Sequence, residues 1–340
     1  MDALQNIGIF AAQTFIILFA ILAVIIVIAL IASRAAGPKT EIQVELLHKR
    51  YKEFRNLLKS QTMTKNERKE LKKKLKEEHK AQETQSRDHE KKIFVLDFEG
   101  DIKASAVENL REEVTAVLTI ATPEDEVVVR VESPGGVVHG YGLAASQLLR
   151  IREKQIPLTV CIDKVAASGG YLMSCTANKI LSAPFAIVGS IGVVAQVPNF
   201  NRLLKRHDVE YKEYTAGEYK RTVSLLGEIT EKGEEKFKQQ LEETHVLFKS
   251  FVQKFRPNMN MSEIATGEYW YGDQALTKGL VDEIRTSDDY LMALSEKHQI
   301  VKVKFEQHES LSDKLTGIIG KAFHKGSLSI LQELETRRFL

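Results

Sequence analysis

Residues 126–165 read EVVVRVESPGGVVHGYGLAASQLLRIREKQIPLTVCIDKV. The opening EVVVRVES (126–133) is dominated by valine, which suits a strand buried on both faces. Ser133-Pro134-Gly135-Gly136 interrupts that run with turn chemistry. YGLAASQLLRIRE (141–153) then spaces its apolar residues as a helix does, and IPLTVCIDKV (156–165) returns to strand character. Strand, helix, strand in this order is a βαβ unit, with parallel strands and a helical crossover.

The same alternation continues on both sides. Upstream, IFVLDFEG (93–100) reads as a strand and AVENLREEVTAVLTIA (106–121) as a helix. Downstream, SGGYLMSCTAN (168–178) opens like a helix, and KILSAP (179–184), SIGVVAQVPNF (190–200) and VEYKEYTA (209–216) read as strands. GEEKFKQQLEETHVLFKSFVQKF (233–255) is a long amphipathic helix. No solenoid period is visible. The fold class is therefore α/β, parallel strands with helical crossovers.

The formal charge of +2 on 340 residues averages three unlike regions. Residues 1–40 carry only Asp2, Arg34 and Lys39. Residues 41–92 carry 16 Lys/Arg against 10 Asp/Glu, a net +6, and residues 93–340 a net −5. With 43% hydrophobic residues and 2 Cys, collagen-like, disulfide-scaffold and wholly disordered readings are excluded.

Within the first region, residues 9–32 contain no charge, and only Gln13 and Thr14 are clearly polar. About 20 apolar residues suffice for a transmembrane helix. The run is too long, and its start too poor in Lys and Arg, for a cleaved signal peptide. The reading is one membrane anchor at 1–40. Arg34, Lys39, Lys49, Arg50 and Lys52 follow the span, which by the positive-inside tendency turns the body toward the cytoplasm. A second uncharged stretch, 180–201, holds Pro184, Gly189, Gly192 and Pro198 and reads as buried strands and turns.

Residues 41–92 form a charged arm, helical through Lys80, with Leu47, Tyr51, Phe54 and Leu58 on one face. It reads as a solvated spacer, or as a basic surface for anionic lipid or a partner helix. Nucleic-acid binding is not expected, because Glu interleaves the basic residues and aromatic platforms are missing. Cys161 and Cys175 lie in apolar segments without metal-ligand spacing. They read as buried thiols, with a disulfide between them left open. No metal or cofactor is implied.

Three glycine-bearing turns follow strand-like runs: Ser133-Pro134-Gly135-Gly136, Ala167-Ser168-Gly169-Gly170 and Gly189-Ser190-Ile191-Gly192. A Ser followed by Gly-Gly at a helix start places its hydroxyl near unpaired amides, which can stabilise an oxyanion. Taken alone, each turn is more often a purely structural tight turn. A nucleophilic Ser needs a base. His139, oriented by Asp163, is one arrangement. Lys220 in AGEYKRT (216–222) is another, provided that its site is dry enough to hold a neutral amine.

Taken together, ESPGGVVHGYG, DKVAASGGYLMSC, GSIGVV and AGEYKRT resemble the signal peptide peptidase A family of membrane serine peptidases. GEYWYGDQALTKGLVDEI (267–284) resembles that family's C-terminal signature through Gly272, Ala275, Gly279 and Asp282. The resemblance covers roughly 90–290, and the span followed by a Lys-rich arm is closest to one branch of the family. It implies a ClpP/crotonase-like fold and a Ser–Lys dyad, with Ser168 as nucleophile and Lys220 as general base. It further implies oxyanion amides from Gly135, Gly136 and Gly169, and Ser190 as the residue orienting Lys220. Other implications are a homo-oligomer in which Ser and Lys can come from neighbouring subunits, and substrates that are peptides or unfolded hydrophobic segments such as signal-peptide remnants. The family's usual placement is extracytoplasmic, opposite to the flanking charge, so the membrane side stays open. Glu268 and Arg285 depart from the family pattern, which has Arg and Gly there. The expected organisation is anchor 1–40, arm 41–92, peptidase domain 93–296 and an unassigned extension 297–340. A crotonase-type acyl-thioester enzyme and a non-catalytic membrane scaffold are the competing readings.

Overall fold

A computed structural model of the chain describes residues 40–70, 73 and 91–307. In chain order the elements are β1 (Thr40–Leu46), α1 (Leu47–Thr62), β2 (Lys92–Glu99), α2 (Val107–Leu118), β3 (Glu126–Glu132), α3 (Val138–Glu153), β4 (Leu158–Ile162), β5 (Val165–Ala167), α4 (Gly169–Ser174), β6 (Lys179–Ser182), β7 (Ile187–Gly189), α5 (Asn201–Arg206), α6 (Glu231–Phe255), α7 (Met261–Ile264), β8 (Tyr269–Tyr271), α8 (Gly272–Thr277), β9 (Glu283–Ile284), α9 (Ser287–Leu294) and β10 (Gln299–Gln307). Gln43–Lys304 form one compact unit. A second unit comprises 1–42 and 305–340, of which only 40–42 and 305–307 are described.

The main sheet has seven strands in the order β1-β10-β2-β3-β4-β6-β9. From β10 to β9 every neighbouring pair is parallel. Both faces are covered, which is why β2 and β3 run almost continuously apolar rather than alternating. On one face Phe94, Leu96, Phe98, Val127, Val129 and Val160 join the large core beneath α2, α3 and α4. On the other, Ile93, Val95, Val128, Cys161 and Leu181 pack with Leu47, Leu291 and Ile300.

A smaller sheet, β5-β7-β8, sits at the end of the first. β5 and β7 are parallel, and β8 runs antiparallel to β7. Ser133, just past β3, bridges to Ala166 of β5 and joins the two sheets.

Several expected elements differ. The single strand expected at 156–165 is two, in different sheets. The Asp163 carboxylate accepts hydrogen bonds from the Ser287 backbone N–H (2.8 Å) and hydroxyl (2.5 Å), and the chain bends there. The strand expected at 190–200 does not form: β7 ends at Gly189, and the chain turns away through Ser190 at φ 53°. VEYKEYTA (209–216) is irregular, because strand propensity yields a strand only where a partner ladder exists. The arm does not begin as a helix: 40–46 is a strand of the main sheet, and α1 ends at Thr62 with Met63 extended. A new helical stretch starts after Thr64, whose N–H and hydroxyl are both held by the Glu67 carboxylate. β10 likewise draws 299–307, expected in the unassigned extension, into the sheet. Cys161 and Cys175 are both free and buried, so the disulfide left open is not formed. Among the described residues no helix is long and apolar enough to cross a membrane, and the expected span at 9–32 lies outside them.

Candidate active site

The junction of the two sheets brings the three glycine turns together. The Ser133 N–H donates to Val165 O (2.8 Å), and the Ala167 N–H donates to Ser133 O (3.0 Å). The Ser133–Gly136 turn is thereby held against Ala167–Gly170. Gly135 has φ +89°, and a Cβ there would lie 2.7 Å from Ala167 O and 2.8 Å from both Gly169 N and Ser168 Cβ. Only glycine satisfies both the angle and the approach.

Ser168 stands between β5 and α4 at φ 50°, ψ −118°, a conformation that L-residues rarely adopt. The backbone around it holds it there. Its N–H donates to Gly189 O (2.7 Å), and its carbonyl accepts from the Leu172 N–H (2.9 Å). Such a strand-to-helix elbow keeps a short side chain out of the packing on either element. Ser168 is half-buried between the fully covered Ala167 and Gly169. The first N–H groups of a helix have no intrahelical acceptor. Among the described residues the Gly169 and Gly136 N–H groups have no hydrogen-bond partner, whereas the Gly135 N–H donates to Ser133 Oγ (3.1 Å).

That last bond opens a chain the sequence reading missed. Ser133 Oγ lies 2.5 Å from the Tyr141 hydroxyl, which donates to Asp101 O (2.7 Å). With the tyrosine proton committed to Asp101, Ser133 donates to Tyr141. Tyr141 is fully buried, and a Cβ on Gly169 would come within 2.4 Å of its ring. Burial raises the phenol pKa, with a smaller opposing effect from Ser133. One side chain thus braces both the Gly135 turn and the Ser168 elbow. Its only signal in the sequence is a large aromatic between two glycines, Gly140 and Gly142, just after the turn.

The remaining candidates lie differently. Ser190 follows the end of β7, its N–H donating to Glu268 O (2.7 Å) and its hydroxyl to Gly267 O at a long 3.4 Å. Lys220 lies in an exposed turn closed by its N–H to Gly217 O (3.1 Å), and among the described residues its ammonium has no hydrogen-bond or ion-pair partner. Among the described residues no hydrogen bond joins Ser168 to Lys220. The competing His139–Asp163 arrangement is absent: His139 is exposed at the start of α3, and Asp163 is engaged by Ser287. A cavity of ≈ 240 Å³ at the far ends of β2, β3 and β4 is lined by charges paired with one another, Arg130 with Asp97 and Lys164 with Glu132.

Comparison with known proteins assigns the chain to a family. Residues 2–148 match the model of the peptidase family S49 N-terminal region, and residues 150–301 match peptidase family S49 itself. The chain belongs to peptidase family S49 and is a protease. "Probable protease SohB" of Haemophilus influenzae is 46% identical over 348 residues, covering 99% of this chain and 98% of its own. "Probable protease SohB" of Buchnera aphidicola subsp. Schizaphis graminum is 42% identical over 325 residues, covering 94% of this chain and 95% of its own. Among solved structures, the 1510-N membrane-bound stomatin-specific protease in complex with a substrate peptide aligns at TM-score 0.41 and 13% identity, over 68% of this chain and 98% of its own.

Proposed function

We propose that this protease is a membrane-anchored serine endopeptidase of ClpP/crotonase-like fold in which Ser168 is the nucleophile and Lys220 the general base. The observation that carries this reading is the Ser168 elbow, a half-buried serine directly before Gly169, whose N–H is unpaired among the described residues, and packed against the Gly135 turn. Ser168 Oγ attacks the scissile carbonyl and passes its proton to the lysine amine. The Gly169 and Gly136 N–H groups receive the developing oxyanion, with Gly135 shaping the turn. The lysinium then protonates the leaving amine, and a water deprotonated by the same lysine hydrolyses the acyl-enzyme.

A lysine base must be neutral when it acts, and burial favours that form. The exposed Lys220 meets the requirement when another surface covers it. Lys220 belongs to a stretch that leaves large apolar side chains in solvent, with Val194 82% and Tyr214 89% exposed. A neighbouring copy that covers this stretch supplies both the apolar contact and the dry site, and Ser190 would then orient the incoming amine. The substrates are peptides or unfolded hydrophobic segments, laid as an added strand beside 133–138. The 9–32 run anchors the enzyme in the inner membrane. Protease shaving of intact spheroplasts decides which side the body occupies: its loss excludes the cytoplasmic side.

The dyad is tested by casein and signal-peptide cleavage with Ser168→Ala and Lys220→Ala. Each is expected to lower turnover by about 10³-fold or more while thermal unfolding stays unchanged. Turnover unchanged in either protein overturns the assignment.

A further inference from the structure

The apolar stripe of α1 does not end where its packing ends. Leu47 is 5% exposed and Tyr51 packs beside it against the core of the main sheet. The N-terminal half of the helix is fixed there, with the Ile300 N–H donating to His48 Nδ1 (3.1 Å). Phe54 and Leu58 continue the same face one and two turns on, and Leu57 flanks them. These three are 51%, 68% and 59% exposed. A continuous amphipathic face is thus half consumed by the sheet and half presented outward.

The chemistry around that outward half is predominantly cationic, with Arg50 also paired to Glu45 of β1 at 3.0 Å. α1 carries Lys49, Arg50, Lys52, Arg55 and Lys59 against the single acid Glu53. The Arg50 guanidinium lies over the Phe54 ring at 5.4 Å from its centroid. An apolar strip rimmed by long cationic side chains is suited to an anionic lipid surface, with the chains reaching to headgroups while the strip enters the acyl boundary. Seven residues, 33–39, separate the 9–32 run from β1, and α1 follows β1 directly in the chain. The charge division fits the same orientation. A body of net −5 is repelled by an anionic surface, and an arm of net +6 is drawn to it.

We propose that Phe54, Leu57 and Leu58 of α1, with their rim of Lys and Arg, form a second membrane contact that lies on the anionic surface of the bilayer and fixes the orientation of the protease body over it. This rests on the reading of 9–32 as the anchor, and the test separates the two.

Cys161 and Cys175 are 1% and 0% exposed, and burial raises the pKa of both thiols. A cysteine introduced at an exposed position is therefore labelled selectively in the full chain. Leu57→Cys, and Glu112→Cys on α2 as the control, are labelled with an environment-sensitive fluorophore. Each is reconstituted into phosphatidylcholine vesicles with and without phosphatidylglycerol, and lipids with a nitroxide in the acyl chain serve as quencher. The expected result is blue-shifted emission at position 57, lost on adding the nitroxide lipid and more completely so with phosphatidylglycerol, with no loss at position 112. A chain that floats with the vesicles while position 57 is not quenched keeps its anchor and overturns the second contact. A blue shift without quenching assigns the strip to a second copy of the chain and overturns it equally. A chain that fails to float overturns both the anchor and the contact. Equal quenching at positions 57 and 112 overturns the orientation.

Discussion

Ser168 sits in a strained backbone conformation, which persists only where the surroundings over-determine it. Here the constraints are enumerable: the Gly189 carbonyl behind it, the Gly135 turn beside it and the Tyr141 ring under Gly169. Tyr141 touches no substrate in this arrangement and acts through its neighbours. Removing its hydroxyl leaves the Asp101 carbonyl and the Ser133 hydroxyl without their partner, at a cost of about 1–3 kcal/mol for a buried polar group left unmet. Tyr141→Phe is accordingly expected to lower the midpoint of thermal unfolding. If the tyrosine also positions the elbow, kcat falls with little change in KM, measured on a chromogenic peptide. A stability loss with unchanged kcat would restrict Tyr141 to a structural role. A sequence reading finds the serine and its glycines because they are local in the chain. It misses Tyr141 because the partners of that residue lie 8 and 40 positions away.

At the scale of elements, what was legible followed from periodicity. The valines of β3 and the helical spacing of α3 and α6 identify themselves, since burial on two faces or on one stripe leaves a pattern in the residues. What was not legible depended on partners distant in the chain. β1 lies in a charged arm yet joins the sheet, and 209–216 has a strand's composition yet no ladder. A charged residue inside a strand is equally ambiguous until its partners are known. Asp97 of β2 accepts two hydrogen bonds from Arg130 of β3 (2.6 and 2.8 Å), and Lys302 of β10 pairs with it at 2.7 Å. Burial by itself would raise the Asp97 pKa, but the hydrogen bonds and charges of Arg130 and Lys302 outweigh it and hold the carboxyl below its usual value. A folded-state pKa below the unfolded one contributes stability above the usual Asp value, near pH 4, and loses it as pH falls through the folded value. Asp97→Asn is therefore expected to flatten the acid limb of a stability–pH curve from urea titrations, with lower stability at neutral pH because two cations lose their carboxylate. An acid limb as steep as in the parent protein would remove Asp97 from that account.

At the scale of the whole molecule, the site is unevenly supplied. Ser168, the unpaired amides and the bracing tyrosine all come from the joint between the sheets, within one chain. Lys220 is on an irregular, solvent-facing stretch and, among the described residues, makes no hydrogen bond or ion pair with them. On the proposed dyad, a second copy of the chain would bring the two halves together, and closed symmetric assembly is the usual way for a single chain to do so. The consequence is a complementation that no intrachain dyad permits. Ser168→Ala and Lys220→Ala are each expected to be inactive alone. When the two are co-expressed in equal amounts, sites form in which the intact serine of one chain meets the intact lysine of another. In a closed ring with random mixing, about one quarter of sites are of that kind, so casein turnover is expected to return to about a quarter of the parent value. Each active site would also contain chains of both types, which a tag on one variant and affinity purification can verify. Mixed assemblies that copurify yet stay inactive would place serine and lysine in the same chain. They would require the 216–222 turn to move toward Ser168 rather than toward a neighbour.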